Sequence, residues 1–299
     1  MGKFFKYIGL LVFVVLVILY LLDLLYTNTY TKGLPRNKVS YVLSMKDTSV
    51  DYIFLGSSRV DNNIDAAVIE SITGKKALNL GIQAAKLNDL FFMLQLLKKQ
   101  NITTEIVFLQ VDYIYNLEGN SEILKSYLMP YIEDDIIAYY IKERDSNYYK
   151  LKYLPFYRYL MYDYKLGFRE HFNTFINKKP SLNLSNGYDA KYGTLSSPLK
   201  ASLPKTINRE NKTIDKINMF AQKNNIKVVY FMAPFCYDTK NKDFSQKLKQ
   251  KIPGLLDYSQ LFTEDNYFYN CSHLNDLGAK EFSKRVALDI LKQETNNQN

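Results

Sequence analysis

An unbroken apolar run near the amino terminus restricts the fold of this chain more than any other feature. From Tyr7 to Leu22 the only polar residues are the tyrosines at positions 7 and 20, and Asp23 is the first acidic residue. A helix rises about 1.5 Å per residue, so roughly twenty residues cross the ~30 Å hydrocarbon core of a bilayer. We therefore predict a tail and membrane anchor over residues 1–26 and a polar connector over residues 27–44.

A cleaved secretory signal peptide is the alternative interpretation of this run. The apolar core of such a peptide is usually about 7–15 residues long and precedes a cleavage site of small residues, whereas this run is longer and no such site follows it. Lys3 and Lys6 precede the run, whereas Lys32, Arg36 and Lys38 follow it, so the basic residues give little guidance on orientation. Because the short tail cannot hold a domain, we expect a single-pass protein of the cell membrane with the rest of the chain outside the cytoplasm.

The composition narrows the functional classes. Of the 299 residues 47% are apolar, which is enough for a substantial core. The net charge of +9 comes from Lys and Arg that are scattered along the chain, so we expect no nucleic-acid partner. Two cysteines and two histidines, without an HExxH or CxxC motif, predict no bound metal, and no cofactor motif is apparent.

Short β-rich apolar runs alternate with helical stretches in the remainder of the chain. This alternation predicts an α/β fold in which helices cover both faces of a parallel sheet. Asp65 and Gly74 are the expected N-cap and C-terminal stop of the first such helix. The predicted strands are Asp51–Leu55, Ala77–Leu80, Glu105–Val111 and Lys227–Met232, and the later helices begin near Leu87, Thr213 and Asp276.

The alternation is lost between about residues 117 and 205, where tyrosine becomes dense. We predict a Tyr-rich helical insertion there, within a domain that covers residues 45–299. The tyrosines could form a lid or platform on which sugar rings stack, or they could be packing residues, and the sequence leaves both interpretations open. His171 lies in this segment, and we expect it to be structural.

The candidate catalytic residues follow the ends of the predicted strands. Ligands of parallel sheets sit at the carboxyl ends of the strands, and Ser58, Gly81 and Asp112 each follow one. Ser58 lies on a strand-to-helix turn, and such a serine becomes a nucleophile if a base and oxyanion donors lie near it. A turn or N-cap serine is the alternative. His273 precedes the last predicted helix, on a loop expected to return to the same edge.

These segments together resemble a known superfamily. Phe54-Leu-Gly-Ser-Ser58, then Asn79-Leu-Gly81, then a strand that ends near Asp112, then Ser-His-Leu-Asn-x-x-Gly-Ala around His273 resemble the ordered blocks of the SGNH, or GDSL-like, hydrolases. The pattern is most similar to membrane-anchored members, namely the protein that transfers D-alanine to teichoic acids and the alginate O-acetyltransferase group. The resemblance covers about residues 50–112 and 227–292. It implies a three-layer, flavodoxin-like α/β/α fold.

The resemblance also implies roles for individual residues. Ser58 matches the nucleophile, His273 matches its base, and Gly81 matches the glycine whose N–H joins that of Ser58 in the oxyanion hole. The family's third block usually supplies an Asn to this hole, whereas this chain has Asp112, whose carboxylate would repel an oxyanion. Asn116 is the nearby alternative donor.

A second departure concerns the acid of the triad. The family pattern has Asp three residues before the histidine, whereas this chain has Asn270. An amide can still accept from the imidazole N–H, as in Cys-His-Asn proteases, but it cannot stabilise imidazolium by charge. We therefore expect a Ser-His-Asn arrangement, an acid from Asp265 or Asp276, or an inactive relative.

Three further residues have two interpretations each. Arg59 either binds a carboxylate or phosphate of the substrate or pairs with an acidic neighbour. Cys236 and Cys271 are both expected near the active edge, where they form either a disulfide, as an exported domain allows, or two buried thiols.

The resemblance implies a membrane-anchored acyltransferase or esterase that acts on O-acyl groups of a cell-surface polysaccharide through an acyl-serine intermediate. The anchor favours transfer, with a multi-pass membrane acyltransferase as partner. A non-catalytic carbohydrate-binding or assembly subunit on the same fold is the main alternative. A tethered esterase of small esters is the third interpretation.

Overall fold

The computed structural model describes residues 1–194 and 201–298. In chain order, its helices are α1 (Gly2–Lys32), α2 (Lys38–Ser44), α3 (Ser58–Asp61), α4 (Ala66–Thr73), α5 (Leu87–Lys99), α6 (Glu122–Leu128), α7 (Asp135–Lys142), α8 (Tyr148–Tyr153), α9 (Tyr157–Met161), α10 (Asp163–Leu166), α11 (Phe168–Phe175), α12 (Lys212–Lys223), α13 (Phe244–Lys251) and α14 (Asp276–Gln298). Its strands are β1 (Tyr52–Leu55), β2 (Ala77–Asn79), β3 (Ile106–Gln110), β4 (Val228–Met232), β5 (Leu256–Asp257), β6 (Phe268–Asn270) and β7 (His273–Leu274).

The chain divides into two compact units that each combine two separate stretches of sequence. The first unit contains Met1–Tyr41 and Glu122–Pro180, and the second contains Val42–Ser121 and the chain from Ser181 onwards. The sheet lies in the second unit, whereas α1 lies in the first.

A five-stranded parallel sheet forms the centre of the second unit, in the order β2-β1-β3-β4-β5. This is the flavodoxin-like order of doubly wound sheets. Every residue of β1, β2 and β3 is buried, as expected for parallel strands that are covered on both faces. The predicted α/β fold with a parallel sheet is confirmed.

Aromatic side chains form the core on one face of this sheet. The rings of Phe54 and Phe108, on neighbouring strands, stack with their centroids 4.8 Å apart. Helices α4 and α14 pack against each other over this face, with Ile69 and Phe282 in the same core cluster. Because strand side chains alternate, Ile53 and Leu55 point to the other face. Helices α5 and α12 pack against each other as a second pair.

The helix signals read from the sequence are present in the structure. The side chain of Asp65 accepts a hydrogen bond from the N–H of Ala67 at 3.1 Å and so caps α4. Gly74 ends α4 in the left-handed conformation, with φ of 71°.

Several short elements were not predicted. Strand β5 has two residues, and β6 and β7 form an antiparallel hairpin of three and two residues. Runs this short carry no readable alternation of apolar and polar residues. The hairpin matters for the site, because Asn270 and His273 are paired within it.

In the first unit, α1 is a helix that is long and apolar enough to span a membrane, and most of its apolar window is exposed. The predicted end of the anchor was near Tyr26, but the helix continues to Lys32. Its last turns are held by packing, since Asp23, Tyr26 and Thr29 are buried and α11 contacts α1. Tertiary contacts therefore extend the helix beyond its apolar run.

Helices α6 to α11 complete the first unit. Their tyrosines divide between the two interpretations left open by the sequence, because Tyr148 and Tyr159 are buried whereas Tyr139 and Tyr149 are exposed. His171 is buried and stacks on Tyr26 of α1, with the ring centroids 3.8 Å apart. These contacts give His171 a packing role.

Replacement of Phe282 by Ala should strongly destabilise the second unit. The ring is fully buried, and its centroid lies 5.2 Å from that of Tyr258. We expect Phe282→Ala to lower the free energy of unfolding by about 3–5 kcal/mol. Leu288→Ala, on the exposed side of α14, should change it by less than about 0.5 kcal/mol. Urea denaturation of the full chain in detergent measures both, and equal effects would contradict this core.

Candidate active site

The turn after β1 presents Ser58 as the first residue of α3. The turn requires Gly56, because a Cβ there would lie 2.2 Å from Cγ2 of Val60 and 2.8 Å from Oε1 of Gln110. Ser57 is the N-cap of α3, and its Oγ accepts a backbone N–H of that helix. The two adjacent serines therefore differ in role: one caps the helix, and the other faces the imidazole of the β6–β7 hairpin.

Ser58, His273 and Asn270 form a hydrogen-bonded chain. The Oγ of Ser58 lies 2.8 Å from Nε2 of His273, and Nδ1 of His273 lies 3.0 Å from Oδ1 of Asn270. An amide oxygen only accepts, so Nδ1 carries the proton and Nε2 is left as the acceptor for the serine hydroxyl. The structure thus brings together the three residues predicted as catalytic, in the tautomer that a general base needs.

The hairpin holds Asn270 in place. Its Oδ1 also accepts the backbone N–H groups of Ser272 and His273, at 2.9 and 3.0 Å. Of the alternative acids, Asp276 binds Lys280 at the start of α14 and Asp265 begins a 3-10 helix. The partner of the imidazole Nδ1 is therefore Asn270.

The surroundings keep the imidazole of His273 neutral. Burial, together with the positive charges of Arg59 and Lys191, lowers the pKa of His273 to about 4. The base is therefore unprotonated at neutral pH and ready to accept the serine proton. Lys191 was not predicted, because it lies in a segment without any recognisable motif.

Arg59 is buried at this edge of the sheet, where it binds groups from several segments of the chain. Its guanidinium has no exposed surface, and its Nε lies 2.7 Å from Oδ2 of Asp112. The other nitrogens donate to the carbonyl groups of Ala233 at 2.7 Å, of Pro234 at 2.9 Å, and of Ser272. Of the two predicted alternatives, Arg59 pairs with an acidic neighbour, and it ties β3, β4 and the histidine hairpin together.

Asp112 is consequently a support residue. Its Oδ1 accepts the backbone N–H of Ile114 at 3.1 Å, and its Oδ2 accepts Nε2 of Gln110 at 2.6 Å. Burial raises the pKa of the Asp112 carboxyl, and the charge of Arg59 opposes that rise. The Asp112 carboxylate thus balances a buried cation.

Gln110 was missed as a site residue. Its Oε1 accepts the backbone N–H of Ser57 at 2.8 Å and the hydroxyl of Ser57 at 2.9 Å, while its amide donates to Asp112. It links the serine turn to the buried charge pair. The polar residue at the end of an otherwise apolar strand was the available signal.

Gly81 packs tightly against the serine turn. A Cβ at this position would lie 2.2 Å from the backbone N of Asp61 and 2.9 Å from the carbonyl O of Ser57. The N–H of Gly81 donates to Oδ1 of Asn79 at 2.9 Å, and the Asn79 amide donates to the carbonyl of Val60 at 2.7 Å. To bind an oxyanion as predicted, this N–H would have to leave Asn79.

Asn116, the other predicted donor, is occupied elsewhere. Its amide donates to the carbonyl of Thr206 at 2.7 Å, and its Oδ1 accepts the N–H of Asn208 at 2.9 Å. Both ends of the side chain thus hold a loop, and a place in the oxyanion hole would require both bonds to break.

A disulfide joins Cys236 and Cys271. It connects the segment after β4 to the hairpin two residues before His273. The backbone N–H of Cys236 also donates to the carbonyl of Cys271 at 3.2 Å. Of the two predicted alternatives, the structure contains the disulfide.

Within the described residues, no group of three or more His, Cys, Asp or Glu side chains could hold a metal ion. The chemistry that the arrangement can perform is nucleophilic attack by Ser58 with His273 as base. Comparison with protein-family models and with curated proteins gave no match to this chain.

Breaking the buried charge pair from one side should destabilise the protein. Arg59→Met leaves the Asp112 carboxylate buried without its partner, and we expect a loss of about 3–5 kcal/mol in the free energy of unfolding. The double variant Arg59→Met/Asp112→Leu removes both charges and should recover part of that loss. Urea denaturation measures the cycle, and additive losses would show that the two charges do not interact.

An acid at position 270 should raise the pKa of His273. A carboxylate beside Nδ1 favours imidazolium, so Asn270→Asp should raise this pKa from about 4 by about 1–3. The parent should therefore keep a neutral base down to pH values near 4, whereas the variant protonates at higher pH. Nuclear magnetic resonance titration of histidine ring carbons measures both, with His171 as internal control. An unchanged pKa would contradict the contact.

Proposed function

We propose that this chain is an SGNH-type serine acyltransferase or esterase, anchored in the cell membrane by α1, that acts on O-acyl groups of a cell-surface polysaccharide. The observation that carries the proposal is the contact of 2.8 Å between the Ser58 hydroxyl and Nε2 of His273. The strand order and the placement of the two residues, after β1 and before α14, fit that superfamily.

In the proposed reaction, His273 accepts the proton of Ser58 while Oγ attacks the acyl carbonyl carbon. The tetrahedral intermediate collapses, the bond to the donor's oxygen or sulfur breaks, and His273 returns the proton to that leaving group. A sugar hydroxyl or water then attacks acyl-Ser58 by the same steps in reverse. Asn270 keeps the imidazole in the required tautomer throughout.

The charges of the site favour an anionic transition state. Burial contributes most to the low pKa of His273, and the positive charges of Arg59 and Lys191 lower it further. The same positive potential stabilises the negative charge that develops on the carbonyl oxygen. The backbone N–H of Ser58, at the start of α3, is the proposed first donor to that oxygen.

The location outside the cytoplasm is proposed from two features. Helix α1 is long and apolar enough to span a membrane, and the disulfide between Cys236 and Cys271 suits an oxidising compartment. An anchored enzyme works close to a membrane-bound acyl donor. We therefore favour transfer over hydrolysis, with a multi-pass membrane acyltransferase as the partner that supplies the acyl group.

The competing function is a non-catalytic carbohydrate-binding subunit. It drew on two departures from the family pattern, Asp112 and Asn270. The structure explains the acidic residue at position 112, because Asp112 neutralises the buried charge of Arg59. Asn270 holds the histidine tautomer without charge. The departures therefore argue less against catalysis than the sequence implied.

A fluorophosphonate probe tests the proposed nucleophile. The parent in detergent should be labelled covalently, and Ser58→Ala should lose the label because the attacking oxygen is gone. His273→Gln should slow labelling by about 10²–10⁴-fold, since the general base is removed.

Ser57→Ala is the matched control for this experiment. It loses an N-cap that is worth about 1 kcal/mol, but it keeps Ser58 and His273 in contact, so labelling should persist. Equal labelling of Ser58→Ala and parent would overturn the assignment. A binding subunit would leave all the variants unlabelled.

A further inference from the structure

The carboxyl-terminal turns of α1 form part of the folded first unit. The carboxylate of Asp23 lies 2.6 Å from Nη2 of Arg158, and both side chains are buried. The second carboxylate oxygen of Asp23 accepts the N–H of Phe156 at 2.9 Å, and Arg158 also donates to Thr27. The charge on the anchor helix is thus neutralised within the unit, which fixes the start of α9 against α1.

On the same turn of α1, the side of the helix that does not carry Asp23 is apolar. Leu21, Leu24 and Leu25 are between 46% and 58% exposed, on the turn that carries the buried Asp23. About twenty residues counted from Lys6 reach Leu25, which is the length of the hydrocarbon core. The contact between Asp23 and Arg158 therefore lies where α1 would leave the bilayer.

Helix α11 presents an aromatic face beside this point. His171 and Thr174 are buried, and His171 stacks on Tyr26 of α1. Phe168, Phe172 and Phe175 are 71%, 49% and 64% exposed, at the spacing that places them on one side of a helix. A soluble surface rarely keeps three phenylalanines of one short helix exposed.

The charge of this region suits an anionic lipid surface. Between Tyr148 and Pro180 the chain has seven Lys and Arg residues and two acidic residues. One acidic residue, Glu170, pairs with Arg36, and Arg158 pairs with Asp23. Exposed aromatic rings flanked by basic residues are characteristic of helices that lie in the membrane interface.

We propose that helices α8 to α11 dock on the bilayer that α1 spans, with the aromatic face of α11 (Phe168, Phe172 and Phe175) among the headgroups of anionic phospholipids. The proposal rests on the anchor role proposed for α1. The occupant of this face is lipid because α11 packs on α1 near the point where that helix would leave the bilayer, and because the segment carries the basic charge that anionic headgroups attract.

Spin labels on the full chain test this docking. The two native cysteines are joined in the disulfide, so single cysteines introduced at Phe172 or Leu16 can be labelled without reductant. Tyr139→Cys on α7 is the matched control, because Tyr139 is an aromatic residue at least as exposed as Phe172, at 64% against 49%, but lies on a helix that begins with an acidic residue. The protein is reconstituted in phosphatidylcholine vesicles with and without phosphatidylglycerol.

Collisions of the label with oxygen, which concentrates in lipid, are compared with collisions with a water-soluble nickel chelate. With phosphatidylglycerol, the ratio of oxygen to nickel collisions at Phe172 should exceed that at Tyr139 several-fold but stay below that at Leu16, because the headgroup region is shallower than the hydrocarbon core. Without phosphatidylglycerol, the ratio at Phe172 should fall.

Other outcomes would overturn the proposal in distinct ways. A ratio at Phe172 equal to that at Tyr139 would show that the aromatic face is in water. Protection from both reagents would show that a second copy of the chain covers it. An unchanged ratio without phosphatidylglycerol would overturn the role of anionic lipid. Nickel access at Leu16 would overturn the anchor itself, and the docking with it.

Discussion

The buried ion pair between Arg59 and Asp112 is the interaction on which the rest of the site depends. A pair without exposed surface contributes little net stability, because desolvation offsets most of the attraction. Its value lies in geometry: five guanidinium donors in a fixed plane can hold several carbonyl groups at once. Since Arg59 directly follows Ser58, the segment that carries Ser58 and the hairpin that carries His273 are held by the same cation.

This cation also explains the electrostatic character of the site. A carboxylate beside the imidazole would add a second negative charge, whereas Asn270 fixes the ring without one. Burial is the main reason that His273 stays neutral, and the charges of Arg59 and Lys191 add to its effect on the pKa. The amide at position 270 and the buried arginine therefore form one arrangement, in which the imidazole is held in place without an adjacent acidic group.

The parallel sheet and the caps of α4 were predictable because each depends on signals that are local in sequence, whereas the pairing of Ser58 with His273 was expected from the order of distant segments that resemble a known superfamily. Apolar runs with clear stops specify strands, and Asp65 and Gly74 specify helix ends. The contacts of Arg59 were not predictable as a set, since its partners Asp112, Ala233–Pro234 and Ser272 lie in three separate segments. Gln110 depends on the register of β3 against β1, which no local pattern specifies.

The disulfide between Cys236 and Cys271 ties the geometry of the site to the redox state of its surroundings. It closes the segment after β4 onto the hairpin that carries His273. A copy of the chain that stays in a reducing cytoplasm would hold two thiols there and lose one of the ties that fix the imidazole. In the proposed location outside the cytoplasm, the oxidising surroundings would supply this tie, so the geometry around His273 would depend on the compartment that holds the chain.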